Sequence, residues 1–254
     1  MKINQIRNAT IVVEYAGKKF LIDPMLAGKG AYPPFPHSPL QENNPLHNLP
    51  MSIEDIIKDI DAVIVTHLHE DHWDDTAKEV LPKEIKLFVQ NEEDAEQTRN
   101  DGFLNVEIMT NETVFEGIQL IKTQGEHGRG EYVKLLGHVS GVVFKHQDEK
   151  TLYLAGDTVW YRGVQEEIDM HKPAVIIVNS GANQFVELES GPIIMDKEDI
   201  YEVHKAAPEA TIICVHMEAV NHWGLSRETL KNFVKDKGFL PQVLIPADGE
   251  AYSI

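Results

Sequence analysis

The sequence predicts an α/β fold in which two β-sheets pack face to face between outer layers of helices, a four-layer αββα sandwich. Three observations support this prediction. A β-hairpin pattern occurs in each half of the chain, uninterrupted apolar runs rich in β-branched residues follow each hairpin, and helix-capping residues lie between those runs. Uninterrupted apolar strands are typical of sheets that are covered on both faces. We therefore expect two ββαβαβ-like halves stacked sheet to sheet, with the helices outside.

The predicted strands come in the same order in both halves. Each hairpin pairs two short apolar segments across a turn, at Gly17 in the first half and at a polar turn in the second. Two longer apolar runs follow each hairpin, separated by stretches with helical character. The predicted strands are 10–15, 19–23, 61–66 and 86–89 in the first half and 141–144, 151–157, 173–178 and 211–215 in the second.

Capping patterns indicate where helices begin. Three pairs place Ser, Asn or Asp three residues before a carboxylate, which is typical of a helix N-terminus. These pairs are Ser52 and Asp55, Asn91 and Asp94, and Asp196 and Asp199. Ser226 similarly precedes a helix predicted over 227–237, and Gly238 stands where a helix C-terminus favours a left-handed residue.

Residues 24–50 interrupt this order with a high density of proline, which excludes a helix or a central strand. The prolines are Pro24, Pro33, Pro34, Pro36, Pro39, Pro45 and Pro50. A loop this long in a compact domain is often functional, so the segment is interpreted either as a lid or as a rigid surface wrap. Since no linker separates the halves, we expect one domain over 1–254, with halves of about 1–125 and 126–254.

The composition favours a small-molecule partner. The chain has 254 residues, with 23 Lys plus Arg against 41 Asp plus Glu, and a net charge of −18. A field of this sign repels phosphate backbones, so nucleic acid is not an expected partner. No run reaches the roughly 20 apolar residues that a membrane span requires. The single Cys214 and the absence of a secretory pattern at the N-terminus favour a cytoplasmic location.

The residues that carry chemistry directly follow the apolar strand that ends at Thr66: His67, His69, Asp71 and His72. In extended backbone, residues 67 and 69 share a direction, whereas 71 and 72 come after a turn and point elsewhere. The four side chains can therefore serve two neighbouring cations. Imidazole and carboxylate together suit Zn, Mn or Fe(II) rather than Ca or Mg. A histidine-rich surface tract is the alternative, but adjacency to a strand that looks buried favours metal binding.

The pattern His67-x-His69-x-Asp71-His72 resembles the signature of the metallo-β-lactamase superfamily, whose fold is the αββα sandwich. That family adds an isolated His in a later loop, an Asp after a strand of the second half, and a final His at a strand end. The matching strings occur here in that order: Gly125-Glu-His127-Gly128, Ala155-Gly-Asp157-Thr158 and Cys214-Val-His216. The resemblance implies two metal ions, the first held by His67, His69 and His127, the second by Asp71, His72 and His216, with Asp157 bridging.

Departures from other branches narrow the resemblance. Thiolate-using β-lactamases have Cys in place of Asp157, and flavo-diiron proteins have Glu in place of His69, so the chain resembles neither. Its opening hairpin and Leu21-Ile-Asp23-Pro24 instead resemble the ascorbate-6-phosphate lactonase-like subfamily, although Asn8 stands where that subfamily often has His. His222 is a rival to His216 as the last ligand. We prefer His216 because it follows strand 211–215, and expect His222 either on the substrate side or behind the ligands as a supporting residue.

The resemblance implies a metal-dependent hydrolase whose metal-bound hydroxide attacks a lactone, ester or amide. Asp71 would bind metal and accept a proton from the attacking oxygen. Zinc and manganese are the favoured ions, and iron is tolerated. An arginine near the metals would suit an anionic substrate. The candidate substrate contacts are His222, Asn183, Trp160, Arg162, Arg129 and His37.

Two other functions stay open from the sequence alone. One is a phosphodiesterase or nuclease of the same fold, for which the composition offers no basic surface. The other is a metal-binding sensor without catalysis, which an intact ligand set disfavours. The sequence also leaves open whether the chain forms a homo-oligomer.

Overall fold

The computed structural model describes residues 1–186 and 191–254, and its strands form two seven-stranded mixed sheets. The strands are β1 Lys2–Arg7, β2 Thr10–Tyr15, β3 Lys18–Ile22, β4 Ala62–Ile64, β5 Lys86–Val89, β6 Val106–Ile108, β7 Thr113–Phe115, β8 Ile118–Gln124, β9 Ser140–Lys145, β10 Leu152–Leu154, β11 Val175–Asn179, β12 Thr211–Val215, β13 Val243–Leu244 and β14 Ala251–Ser253. The strand orders are β14-β1-β2-β3-β4-β5-β6 and β13-β12-β11-β10-β9-β8-β7.

The described residues form seven α-helices, and all but the short fourth one pack on the outer faces of the sheets. They are α1 Ile53–Ile57, α2 Asp75–Val80, α3 Glu92–Asn100, α4 Tyr132–Leu135, α5 Arg162–His171, α6 Lys197–Ala206 and α7 Arg227–Asp236, with a 3₁₀ turn at Leu240–Gln242. Within the described ranges, each helix is too short or too polar to cross a membrane.

Three apolar layers separate four structural layers, as the sequence predicts. The middle layer packs the facing sides of the two sheets against each other. One outer layer packs the first sheet against α1, α2 and α3, and the other packs the second sheet against α5, α6 and α7. Since both sheets are buried on both faces, hydrophobic burial explains the uninterrupted apolar strands.

Alternation along the strands divides each apolar run between two layers. In β4, Ala62 and Ile64 face the other sheet, whereas Val63 faces the helices. In β12, Ile213 likewise faces the other sheet and Ile212 faces the helices. Successive strand residues point to opposite faces, so a single run such as 211–215 supplies two cores.

Most predicted elements are confirmed. Strands 10–15, 86–89 and 211–215 have the predicted bounds. The side chains of Ser52, Asn91, Asp196 and Ser226 accept hydrogen bonds from the first turns of α1, α3, α6 and α7. Gly238 follows α7 with a φ of 83°. The αββα architecture predicted from the sequence is therefore the observed one.

The sheets do not divide at residue 125. Strands β7 and β8 precede that residue but belong to the second sheet, where β7 pairs with β8 and β8 pairs with β9. The C-terminal β14 returns to pair with β1 in the first. The two internal hairpins indicated the repeat but not β7, β8 or β14, whose partly polar sequences differ from the uninterrupted apolar runs of the predicted strands.

The proline-rich segment 24–50 is tied to the body of the protein at both ends. The buried guanidinium of Arg7 donates to the carbonyls of Met25, Ala27 and His47 at 2.8–2.9 Å. Asn221 exchanges hydrogen bonds with the backbone of Phe35 at 3.0 and 3.2 Å. The Arg7 contacts hold the segment against the first half of the chain, and the Asn221 contacts hold it against the second half and place Phe35 beside the site described below.

Candidate metal centre

The candidate ligands lie where neighbouring strands end. Strands β3, β4 and β5 are parallel, as are β10, β11 and β12. Their carboxyl ends lie at one edge of each sheet, where ligand sites of α/β folds are commonly found. Asp23 follows β3, His67 follows β4, Asp157 follows β10 and His216 follows β12. Residues distant in the sequence therefore meet between the sheets.

The first group of donors contains His67, His69 and His127. One ring nitrogen from each lies within 4.8 Å of the others, and Nε2 of His67 is 2.9 Å from Nδ1 of His69. His127 comes from the loop after β8, and its Nδ1 is 3.0 Å from the carbonyl oxygen of Ile193. That contact leaves Nε2 of His127 directed to the group. Three converging imidazole nitrogens are a donor set that could bind a metal ion.

The second group contains Asp71, His72 and His216, whose donor atoms also lie within 4.8 Å of one another. Nε2 of His216 is 3.2 Å from Nε2 of His72 and 3.2 Å from Oδ2 of Asp71. His216 has a φ of 59°, a left-handed conformation that turns the chain away from β12. Its N–H donates to the carbonyl of Asn8 at 2.9 Å, which fixes the turn.

Asp157 lies between the two groups. Its Oδ2 is 3.2 Å from Nε2 of His72 and 3.6 Å from Nε2 of His127. Its Oδ1 accepts from Nδ2 of Asn179 at 2.6 Å and is 3.8 Å from Nε2 of His216. One carboxylate thus contacts donors of both groups, the position that a bridging ligand requires.

A further carboxylate, Asp23, supports the second group from behind. Its Oδ1 accepts from the N–H of Thr66 at 2.7 Å, and its Oδ2 accepts from the Thr66 hydroxyl at 2.8 Å. The same Oδ2 is 2.9 Å from Nδ1 of His72. A carboxylate on the far nitrogen orients a ligating imidazole and raises its basicity. The sequence analysis did not predict this role for Asp23. Its position at the end of a predicted strand, as for the candidate ligands, could have indicated that it lies near them.

The charges of the cluster favour a cation. Burial lowers the pKa of His67 well below its usual value. Burial acts on His72 in the same direction, but the carboxylates of Asp157 and Asp23 outweigh it and raise the pKa of His72 well above its usual value. Burial would raise the pKa of Asp71, but the positive charge of His72 holds that pKa well below its usual range. The buried carboxylates are therefore stabilised by nearby positive charge. A divalent ion would supply that charge while the imidazoles stay neutral.

A cavity of about 200 Å³ opens onto the cluster. Four of the candidate ligands line it: His69, Asp71, His127 and Asp157. The remaining described residues of its lining are Phe35, Glu70, Leu136, Phe185, Ile193 and His222. None of these described lining residues is Lys or Arg. Apart from the candidate ligands, the lining is thus mainly aromatic and aliphatic. Glu70 is its one charged residue that is not a candidate ligand among the described residues.

The structure brings together some of the predicted substrate contacts. His222 lines the cavity, and its Nε2 lies 3.1 Å from Nδ2 of the buried Asn183. The seven predicted ligands converge as described, with Asp71 also on the cavity wall. Their assignment as ligands, and that of Asp71 as a proton acceptor, stay predictions that this geometry supports.

Four other predicted contacts lie elsewhere. Arg129 donates to both carboxylate oxygens of Asp199 at 2.7 and 2.8 Å, so its charge is used within the fold. Arg162 is exposed at the start of α5 and pairs with Glu166. Trp160 packs against the helix-covered core of the second sheet.

The fourth of these residues, His37, is exposed, and its backbone carbonyl accepts a hydrogen bond from the N–H of Val186 at 2.7 Å. The proline-rich segment contributes Phe35 to the cavity instead. Phe35 and Phe185 were missed because each lies in a loop without periodicity, and only the tertiary structure brings them to the same wall.

Comparison with known proteins identifies the family. Residues 18–217 match the model of the beta-lactamase superfamily domain. The chain belongs to the metallo-β-lactamase superfamily. It is 64% identical over 255 residues to the UPF0173 protein YddR of Bacillus subtilis (strain 168), covering 100% of both chains. This similarity places it in the UPF0173 metal-dependent hydrolase family of that superfamily.

Two solved structures are similar over their whole lengths. An isothiocyanate hydrolase from Delia radicum gut bacteria is 44% identical with a TM-score of 0.95, covering 100% of this chain and 99% of that one. A "possible metal-dependent hydrolase" from Veillonella parvula DSM 2008 is 41% identical with a TM-score of 0.97, covering the same shares. The chain is thus a metal-dependent hydrolase with the metallo-β-lactamase fold. The narrower lactonase-like resemblance stays a prediction.

In this metal-dependent hydrolase, Asp23→Asn is expected to weaken metal binding by roughly 10- to 100-fold, because an amide neither carries the charge nor fixes the proton on His72 as a carboxylate does. Isothermal titration of the metal-free protein with zinc measures the change. Asp55→Asn at the exposed start of α1 is the matched control. Unchanged affinity in the Asp23 variant would show that His72 is positioned without this carboxylate.

Proposed function

We propose that the chain hydrolyses small, neutral isothiocyanates, R–N=C=S, at a pair of divalent ions, zinc or manganese, held by His67, His69, His127, Asp71, His72, His216 and Asp157. The observation that carries this proposal is the small cavity over the donor cluster, with apolar walls and no Lys or Arg among its described lining residues. The 44% identity to an isothiocyanate hydrolase supports the same substrate class.

The wall chemistry favours a neutral substrate over the anionic one expected from the sequence. Arg129 and Arg162, the basis of that expectation, are paired with Asp199 and Glu166. The cavity presents Glu70 beside the apolar wall, and a carboxylate repels an anion. An isothiocyanate is uncharged, its substituent is apolar, and its central carbon is electrophilic.

The reaction consumes one water molecule. When bound, the divalent ions lower the pKa of a water and polarise the group under attack. The water oxygen bonds to the central carbon, the C=N electron pair moves to nitrogen, and nitrogen takes a proton to give R–NH–C(=S)–OH. The C–N bond then breaks as the hydroxyl proton moves to nitrogen, leaving R–NH₂ and O=C=S.

The protein supplies position and proton transfer in this scheme. Asp71 lies on the cavity wall, where its carboxylate can accept the proton of the attacking water. Phe35, Phe185 and Ile193 exclude bulk water from the substituent side. A water-poor cavity strengthens the electrostatic stabilisation of the charge that develops on the substrate.

A substrate panel tests this proposal. Zinc- or manganese-loaded protein is incubated with allyl and benzyl isothiocyanate, a γ-lactone, a p-nitrophenyl ester and bis-p-nitrophenyl phosphate, with amine, acid and phenolate release measured. We expect the highest kcat/KM for an isothiocyanate and loss of that activity after chelation. Turnover of the lactone, ester or phosphodiester with no isothiocyanate turnover would overturn the proposal.

The second candidate is a hydrolase of a small lactone, ester or amide. The opening hairpin with Leu21-Ile-Asp23-Pro24 supports it, through its resemblance to lactonase-like proteins. The same donor cluster would serve both reactions, because each begins with attack of water oxygen on an electrophilic carbon. The panel separates them by which product forms.

A further inference from the structure

The turn between β1 and β2 reaches the second group of metal donors. It consists of Asn8 and Ala9, since Arg7 and Thr10 pair across it. Asparagine is common in such turns because it tolerates a positive φ, and Asn8 has a φ of 56°. Turns usually lie on the surface, whereas Asn8 is 0% exposed. The first hairpin of the chain therefore carries a buried amide into the neighbourhood of ligands that lie far along the sequence.

Asn8 contacts two candidate ligands of that group. Its Nδ2 donates to the backbone carbonyl of Asp71 at 3.0 Å and lies 3.5 Å from the carboxylate oxygen Oδ2 of the same residue. Its backbone carbonyl accepts from the N–H of His216 and from the side-chain amide of Gln5, both at 2.9 Å. Oδ2 of Asp71 is also the atom that lies 3.2 Å from Nε2 of His216. One residue thus holds both partners of that contact.

The orientation of the Asn8 amide follows from its partners. A carbonyl and a carboxylate oxygen only accept hydrogen bonds, so the amide nitrogen must face Asp71. Oδ1 of Asn8 is buried without a hydrogen-bond partner among the described residues, which is costly. A glycine would adopt the same φ without steric strain. The backbone conformation alone therefore does not account for an asparagine here, whereas its contact with Asp71 does.

We propose that Asn8 is a positioning residue of the second metal group, which sets the carboxylate of Asp71 against the imidazole of His216 before an ion binds. This inference rests on the two-ion centre of the proposed function. Ligands that are already held in place lose less conformational freedom on binding, and hydrogen bonds behind a ligand strengthen its hold on a metal. Among the described residues, Asn8 hydrogen-bonds to no ligand of the first group, so only the second ion depends on it.

Zinc titration of the metal-free protein tests this role. Asn8→Gly keeps the left-handed backbone and the carbonyl that accepts from His216, and removes the amide alone. We expect one ion to bind as in wild type and the other roughly 10- to 100-fold more weakly. Asp59→Gly is the matched control, because Asp59 also has a positive φ, 57°, but is exposed. The control should leave both zinc affinities unchanged.

Double substitutions assign the loss to one group of donors. In a His127→Ala background, which keeps the second group, Asn8→Gly should weaken the zinc that still binds by the same factor. In a His216→Ala background, which keeps the first group, Asn8→Gly should change nothing. A purely structural role would lower zinc affinity alike in both backgrounds. Equal losses in the two backgrounds, or no loss in the His127→Ala background, would overturn the inference.

A second measurement does not depend on metal binding. Crystal structures of the metal-free variants show whether Oδ2 of Asp71 stays at 3.2 Å from Nε2 of His216. We expect the carboxylate to turn away in Asn8→Gly and to stay in Asp59→Gly. If wild type binds fewer than two ions, the two-ion proposal fails, and the position of Asp71 then decides the inference by itself. An Asp71 carboxylate that keeps its place in Asn8→Gly would overturn the inference.

Discussion

Asp157→Asn is expected to lower hydrolytic activity by roughly 10³-fold or more and to leave the protein with fewer than two bound metal ions. Asp157 contacts donors of both groups, with Oδ2 at 3.2 Å from His72 and 3.6 Å from His127. An amide keeps the shape but removes the negative charge that a carboxylate bridging two cations would supply. Loss of metal-assisted activation is worth several kcal/mol, and each 1.36 kcal/mol is a factor of ten.

The measurement pairs kcat/KM with metal content by mass spectrometry. Asp169→Asn, at an exposed position in α5, should keep wild-type activity and two ions. An Asp157→Asn protein that retains two ions and full activity would exclude a bridging role for this carboxylate.

Gly156→Ala is expected to destabilise the fold by about 2–5 kcal/mol and to displace Asp157 with it. Gly156 has a φ of 71°, and a Cβ at this position would collide with the backbone carbonyl oxygen of Ser140. The penalty combines left-handed strain with a clash that the flanking strand cannot relieve. Urea unfolding of the metal-free protein measures the stability loss, and zinc titration measures the accompanying loss of affinity.

Gly17→Ala provides the matched control. Gly17 has a φ of 78°, but a Cβ there meets nothing within 4 Å, so only the backbone strain of about 1 kcal/mol applies. If the Gly156 variant loses no more stability than the Gly17 variant, the strand β9 backbone does not constrain the turn that carries Asp157.

The layers of the fold could be predicted because hydrophobic patterning encodes them. Runs such as 86–89 and 211–215 are apolar on both faces, and only a covered sheet buries both. The helix starts at Ser52 and Ser226 could be predicted because a helix cap is a local interaction between a side chain and the turn that follows it. Strands β1, β7 and β14 could not be predicted, because β7 and β14 are three-residue edge strands and the pairing of β1 with β14 joins the two ends of the sequence.

The candidate ligands could be located because they follow predicted strands. His67, Asp157 and His216 each come after an apolar run, and parallel strands bring their ends together. The residues that line the cavity beside these ligands could not be predicted in this way. Phe35 and Phe185 meet His222 through loops, and Arg129 forms an ion pair with Asp199 that its own neighbours in sequence do not indicate.

The two arginines on which the expectation of an anionic substrate rested lie away from the cavity for the same reason. Arg129 and Arg162 lie close in sequence to His127 and Asp157, and sequence proximity suggested that they share the site. In the structure the backbone turns after each of these residues, and both guanidinium groups face carboxylates outside the cavity. Sequence distance to a ligand is therefore a poor guide to which side chains reach the substrate.

Metal stoichiometry tests the two-ion centre most directly. Protein stripped by a chelator is titrated with zinc or manganese, and bound ions per chain are counted by calorimetry and elemental analysis. The seven converging donors predict two ions for wild type, and fewer for His127→Ala and for His216→Ala. A wild-type protein that binds fewer than two ions, or variants that bind as many ions as wild type, would contradict a two-ion centre built from these residues.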